Sequence, residues 1–177
     1  MATRFACRLH RISHWDTLLC LQINRANRVM WLGRAFGVVS RLGNGVFWYV
    51  LMLAMLAWDG TDAVPAVLHM TGVGLVCTVL YKWLKSRTLR PRPFHLHREI
   101  FCSVAPLDQF SFPSGHTLHA VAFSIVALAY YPALFWLVVP FTVLVALSRL
   151  VLGLHYPTDV LAGALLGAVL AGASLTL

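Results

Sequence analysis

The feature that most limits what this chain can become is a succession of apolar runs between Gly45 and Leu177, separated by turns too short to hold another domain. The runs are Gly45–Trp58, Pro65 to about Trp83, His116–Tyr131, about Leu134–Leu147 and Pro157–Leu177, and each carries little charge. Such segments predict membrane-spanning helices, because a helix pairs its own backbone amides where lipid offers no partner. DGTD at Asp59–Asp62 separates the first two, Pro132 breaks the third from the fourth, and Pro157 falls at the first turn of the fifth. A composition 59% hydrophobic and only 11% charged over 177 residues is far from that of a soluble domain. The expected fold is all-α, a polytopic membrane bundle of about five transmembrane helices. A sixth crossing would have to lie within residues 12–42.

Upstream of these runs the pattern changes. Phe5, Leu9, Ile12 and Trp15 fall at helical spacing with Arg4, Arg8 and Arg11 among them, which predicts an amphipathic helix on the membrane surface. From Asp16 to Asn44 the apolar stretches are short and interrupted by Arg25, Arg28, Arg34 and Arg41, so they read as interfacial helices. Two segments follow: an amphipathic and interfacial one at 1–44, and a transmembrane one at 45–177. The formal charge of +8 comes without a basic helix, zinc spacing or aromatic RNA motif. That excludes nucleic acid as a partner and points to anionic head groups or phosphates. Cys7, Cys20, Cys77 and Cys102 lack CxxC spacing, so neither a disulfide framework nor a zinc site is indicated. No cleaved signal peptide is expected, since no apolar core with a small-residue cleavage site follows the first arginines.

With tight turns between spans, the end of the second, the start of the third, the end of the fourth and the start of the fifth share one membrane face. Three polar clusters occupy those places. KSRTLRPRP carries Lys85, Arg87, Arg90 and Arg92, and alone reads as a basic anchor for lipid head groups. FPSGHTLH opens the third span, where free helix amides, Ser114, Gly115 and His116 suit an anion; alone it is an ordinary capped helix start. SRLVLGLHYPTD places Ser148, Arg149, His155 and Asp159 in apolar surroundings, where ionisable groups are costly and mark function. Gly163-x-x-x-Gly167 in the fifth span reads as helix packing.

Together the clusters resemble the type 2 phosphatidic acid phosphatase (PAP2) superfamily, whose signature is K-x6-R-P, P-S-G-H and S-R-x5-H-x3-D. Lys85 with Arg92-Pro93, Pro113-Ser114-Gly115-His116, and Ser148-Arg149 with His155 and Asp159 match it in order. The resemblance implies that His155 is the nucleophile that forms a phosphohistidine, that Asp159 orients it, and that His116 is the general acid. Lys85, Arg92, Arg149, Ser114 and the Gly115 amide would bind the phosphoryl oxygens. It implies no cofactor and no metal; His95, His97 and Asp108 are spaced too loosely for a metal site and read as a solvated loop. His119 lines the head-group pocket or packs between helices, and His69 falls near the opposite face. The activity implied is removal of a terminal phosphate from a lipid: phosphatidate, phosphatidylglycerophosphate or undecaprenyl diphosphate. Two alternatives are transfer of the phosphate to another lipid and a catalytically silent scaffold of the same fold. The partners implied are the phosphorylated lipid and the bilayer, with no oligomeric state specified.

Small size and short loops suggest a multi-pass protein of the bacterial inner membrane. All 14 Lys and Arg residues lie before the first span or on the face of the three clusters, which the positive-inside rule makes cytoplasmic. The resemblance points the other way, to the outer face of that membrane.

Overall fold

The computed structural model describes residues 2–176, with side chains from residue 13 onward. Its elements are α1 (Ala2–Asn24), α2 (Met30–Arg41), α3 (Phe47–Asp59), α4 (Val64–Thr88), the single turn α5 (Pro93–Leu96), α6 (Gly115–Tyr130), α7 (Phe135–Val151) and α8 (Pro157–Ser174). Among the described residues there is no strand, only an isolated bridge between Pro91 and Phe110. The helical stretches Met30–Thr88, Pro132–Val151 and Pro157–Ser174 are long and apolar enough to cross a bilayer, and Gly115–Tyr130 is a shorter apolar helix. Met30–Thr88 folds back at the 3-10 turn Gly60–Ala63, so α3, α4, α6, α7 and α8 are the helices that carry the five apolar runs. Lipid-facing positions such as Trp58, Leu165 and Trp136 are exposed, while Trp48, Met70, Leu118, Val126 and Val145 form the core.

The observed helices outrun the apolar runs at the shared face. α4 continues past Trp83 to Thr88 and takes Lys85 onto its last turns; α7 continues past Leu147 to Val151 and takes Arg149 with it. Both cations are buried and bonded, so charge does not end either helix. The first span has no free start. α2 passes through a π-helical kink at Leu42–Val46, where Asn44 leaves helical geometry and Gly45 sits at φ +116°, and re-forms as α3. Only glycine takes that left-handed backbone without strain.

Two glycines set the tightest helix contact. A Cβ at Gly163 would lie 2.5 Å from the Ser114 carbonyl oxygen, and one at Gly167 would overlap the Leu118 carbonyl. α6 and α8 therefore touch backbone to backbone and run parallel from the same face, as small-residue spacing predicts.

The N-terminal helix lies over that face. Asp16 is hydrogen-bonded to Thr158, the Cys20 thiol points to the His155 carbonyl at 3.9 Å, and Asn24 donates to the Phe101 and Val151 carbonyls at 2.8 Å each. The side chains of Arg4, Phe5, Arg8, Leu9, Arg11 and Ile12, which carry the expected amphipathic pattern, lie outside the described ones, as does that of Cys7. The N-terminal basic segment and the three clusters share one side of the bundle, with Asn27 and Arg28 bonded to the loop after α5.

Candidate active site

The three clusters converge. Lys85, Arg92, Gly115, His116, Arg149 and His155 line one cavity of about 350 Å³. Lys85 Nζ donates to both oxygens of Asp108 at 2.7 and 2.8 Å and to the Phe110 carbonyl at 3.1 Å. Arg92 donates to the Asp108 carboxylate at 2.7 Å and, through Nε, to the Asp108 carbonyl at 2.9 Å. Its Nη1 holds the Leu154 carbonyl at 2.7 Å. Arg149 is 2% exposed; it donates to Ser40 of α2, and its Nε has no partner among the described residues. Lys85 and Arg92 thus share one carboxylate while Arg149 is paired with none, and a buried N–H left unpaired costs about 1–3 kcal/mol.

Asp108 is the residue the sequence argument misplaced. Read as part of a solvated loop beside His95 and His97, it is instead a bidentate anchor, and His97 turns away toward Thr17. Burial would raise its carboxyl pKa, but Lys85 and Arg92 hold it below the usual carboxylate range. An acid 23 residues beyond Lys85 has no fixed spacing to betray it.

The start of α6 faces the cavity through Gly115 and His116. Ser114 is the buried N-cap of α6, its hydroxyl 3.0 Å from that of Thr117 and its amide donating to the Asp159 carbonyl at 3.0 Å. Gly115 packs its Cα against the Tyr81 ring, and His116 follows on the first turn. His119, one turn on, also lines the cavity; Thr78 and the Gly74 carbonyl lie 3.1 and 3.2 Å from its Nε2, and its Nδ1 is 2.8 Å from the Gly115 carbonyl. His69 sits far off, beside Tyr130 and Ser174.

His155 occupies the turn between α7 and α8, which reverses through Gly153 at φ +70°. Its amide and that of Leu154 both donate to the Arg149 carbonyl, tying the histidine to the arginine. The two ring nitrogens face different groups. Nε2 is 3.4 Å from Arg92 Nη1 on the cavity side, and Nδ1 is 3.7 Å from Asp159 Oδ2, beyond hydrogen-bond length, with no closer partner among the described residues. Burial pushes the imidazole well below its ordinary pKa, and Arg149, Arg92 and Lys85 push it further. The ring is therefore neutral at pH 7.

Asp159 is fully buried at the third position of α8. Its Oδ2 accepts the Tyr156 amide at 2.9 Å in a capping box, and its Oδ1 accepts Arg90 Nη1 at 2.6 Å. Arg90 is thus not a lipid anchor: its other nitrogen reaches Asp16 of α1 at 2.6 Å, and its guanidinium lies 4.2 Å over the Tyr156 ring. Arg87 does keep to the surface, over Trp83.

From the charged end, the cavity runs between α3 and α4, past Trp48, Met52, Gly74 and Thr78. Tyr49 and Leu75 line it and are 63% and 65% exposed, so its mouth opens sideways between the two helices.

Comparison with known proteins agrees with this arrangement. The family model described as the PAP2 superfamily matches residues 62–177. Undecaprenyl-diphosphatase BcrC of Bacillus subtilis is 32% identical over 164 residues, which is 93% of this chain and 77% of that protein. The crystal structure of a transmembrane PAP2-type phosphatidylglycerolphosphate phosphatase from Bacillus subtilis superposes with a TM-score of 0.70 at 25% identity, covering 94% of this chain and 85% of the other. That of Aquifex aeolicus LpxE gives 0.71 at 29% identity, covering 90% and 93%. With the family model matching residues 62–177 and a relative 32% identical over most of both chains, this chain belongs to the PAP2 superfamily.

Proposed function

We propose that the protein removes a terminal phosphate from a membrane lipid through a phosphohistidine on His155. The observation that carries this reading is the charge imbalance of the cavity. Lys85 and Arg92 share a single carboxylate and Arg149 is paired with none, and a phosphate dianion is the ligand that balances the three and gives the Arg149 Nε an acceptor. Phosphoryl transfer needs mostly alignment and charge neutralisation, and three cations with a helix N-terminus provide both.

In this scheme His155 Nε2 attacks phosphorus while the bond from phosphorus to the lipid oxygen breaks, and His116 delivers a proton to that oxygen. Water then attacks the phosphohistidine, His116 takes its proton, and inorganic phosphate leaves. Asp159 faces Nδ1 and stabilises the charged ring, a short movement closing the 3.7 Å gap. Ser114 and the Gly115 amide hold phosphoryl oxygens at the start of α6. The lipid tail lies in the cleft between α3 and α4, whose mouth at Tyr49 and Leu75 faces the acyl region. We place the protein in the bacterial inner membrane, and labelling of Cys102 in sealed vesicles tells which face carries the site.

A phosphate-release panel with purified protein tests the reading, using phosphatidate, phosphatidylglycerophosphate and undecaprenyl diphosphate. Release from at least one, lost in His155→Ala and His116→Ala proteins that still fold, is the expected result, and chelators leave it unchanged. Transfer of label to a second lipid without free phosphate points to a phosphotransferase; no turnover of any kind leaves a scaffold. Because the folded-state pKa of His155 is lowered, the nucleophile stays neutral as pH falls below the usual histidine range. The acid limb of kcat/KM should therefore lie below about pH 6.5, the free-histidine value.

A further inference from the structure

The nucleophile and its carboxylate are tied to a residue of the N-terminal helix that lies outside the signature and outside the family-matched region. Asp16 is 3% exposed although it follows a run of arginines. One of its oxygens accepts the Thr158 amide at 3.0 Å; the other accepts Arg90 Nη2 at 2.6 Å and the Thr158 hydroxyl. That hydroxyl in turn accepts Arg90 Nη1 at 2.8 Å, and the same Nη1 donates to Asp159 at 2.6 Å. A single guanidinium is thus clamped between two buried carboxylates, one facing His155 and one 143 positions earlier in the sequence.

We propose that Asp16 is a positioning residue for the His155 and Asp159 pair, acting through Arg90 and Thr158. The inference rests on His155 being the nucleophile. Its physical basis is charge sharing. Were Asp159 the sole partner of Arg90, the guanidinium would neutralise the carboxylate that must stabilise a charged phosphohistidine. Asp16 takes the other edge of the guanidinium and leaves Asp159 with negative field to spend on the imidazole. It also fixes the first turn of α8, because Thr158 lies between Asp159 and the capping residue Tyr156. The groups that face His155 are otherwise cationic or neutral: Lys85, Arg92 and Arg149 around the cavity, and His116 from α6. Asp108 is committed to Lys85 and Arg92.

The test uses full-length Asp16→Asn and Arg90→Gln proteins, with inorganic phosphate release from a lipid that the wild type turns over. Asp16→Asn should lower kcat about tenfold to a hundredfold, the range for loss of a group that orients a reacting ligand. KM should stay within about twofold, since Asp16 does not touch the cavity. Its acid limb should move to lower pH, because His155 loses a distant negative charge. Arg90→Gln should lower kcat as well and move the limb to higher pH, because two carboxylates are then left beside the ring. Mass-spectrometric thiol labelling at Cys20, which lies against His155, reports whether α1 stays docked. Asp16→Asn with α1 docked and wild-type kcat and pH profile would overturn the proposal, as would limbs that move in the same direction in the two variants. If Asp16→Asn undocks α1, the Arg90→Gln limb decides alone: no upward movement sinks the idea. Wild-type protein without phosphate release would instead sink the phosphohistidine reading on which the proposal rests.

Discussion

Two helix pairs meet the cavity in opposite ways. α6 and α8 touch glycine to backbone at Gly163 and Gly167 and bring the Ser114 and Asp159 ends together with no side chain between them. α3 and α4 are joined at the Gly60–Ala63 turn and open toward the kink at Leu42–Val46, and between them Tyr49, Met52, Gly74 and Leu75 border open space. On the proposed mechanism, one pair carries the groups whose spacing the chemistry cannot relax; the other carries a path that must admit a flexible chain. Rigidity and looseness are thus sorted by helix pair within one small bundle. Sub-ångström misplacement costs rate at the first, whereas the second need only be apolar and wide enough.

The largest effect should come from breaking the tight pair. Gly167→Val places a branched side chain against the Leu118 carbonyl, where no rotamer escapes, and should destabilise the fold by about 3 kcal/mol or more. Thermal unfolding in detergent would register it together with loss of turnover; a variant of normal Tm and activity would show that the two helices can separate at no cost. A smaller effect is expected at the anion seat between the pairs. Asp108→Asn removes the carboxylate that competes with phosphate for Lys85 and Arg92, while the Asp108 carbonyl still holds Arg92 Nε. Inhibition by inorganic phosphate should tighten about threefold to tenfold, and weaker inhibition would mean that Asp108 aligns the cations more than it occupies them. Smallest is the loose pair: Leu75→Trp narrows the mouth and should raise KM severalfold for a long-chain lipid, with a soluble short-chain phosphate unaffected. Equal changes for both substrates would move the entry route elsewhere.

How much of this was legible in the chain follows the same division. Lys85, Arg92, His116, Arg149 and His155 could be placed on one face because alternating spans leave no other topology, and ionisable groups in apolar sequence stand out. GxxxG spacing likewise announced a helix contact, though not that α6 would be the partner of α8. Asp108, Arg90 and Asp16 were not legible as site residues. They sit in a loop or on a surface helix, where no periodicity says which groups will meet, and each draws its meaning from a partner far along the chain. One signal was present at Asp16: a lone acid flanked by Trp15, Leu18 and Leu19 in a segment otherwise rich in arginine. Family matching starts at residue 62 and passes over it too.

The clamp from Asp16 to Thr158 also orders events in time. The hydrogen bond between them spans 142 positions, so α1 waits for α8 to be made. Until α8 is in the membrane, Asp16 has neither Thr158 nor the Arg90 to Asp159 bridge, and His155 has no carboxylate beside it. On the proposed mechanism a chain without α8 is therefore unarmed even with its cation cluster in place. Closing so long a loop costs entropy that only the finished bundle repays. On the proposed mechanism, a chain without α8 cannot turn on the lipids it is inserted among.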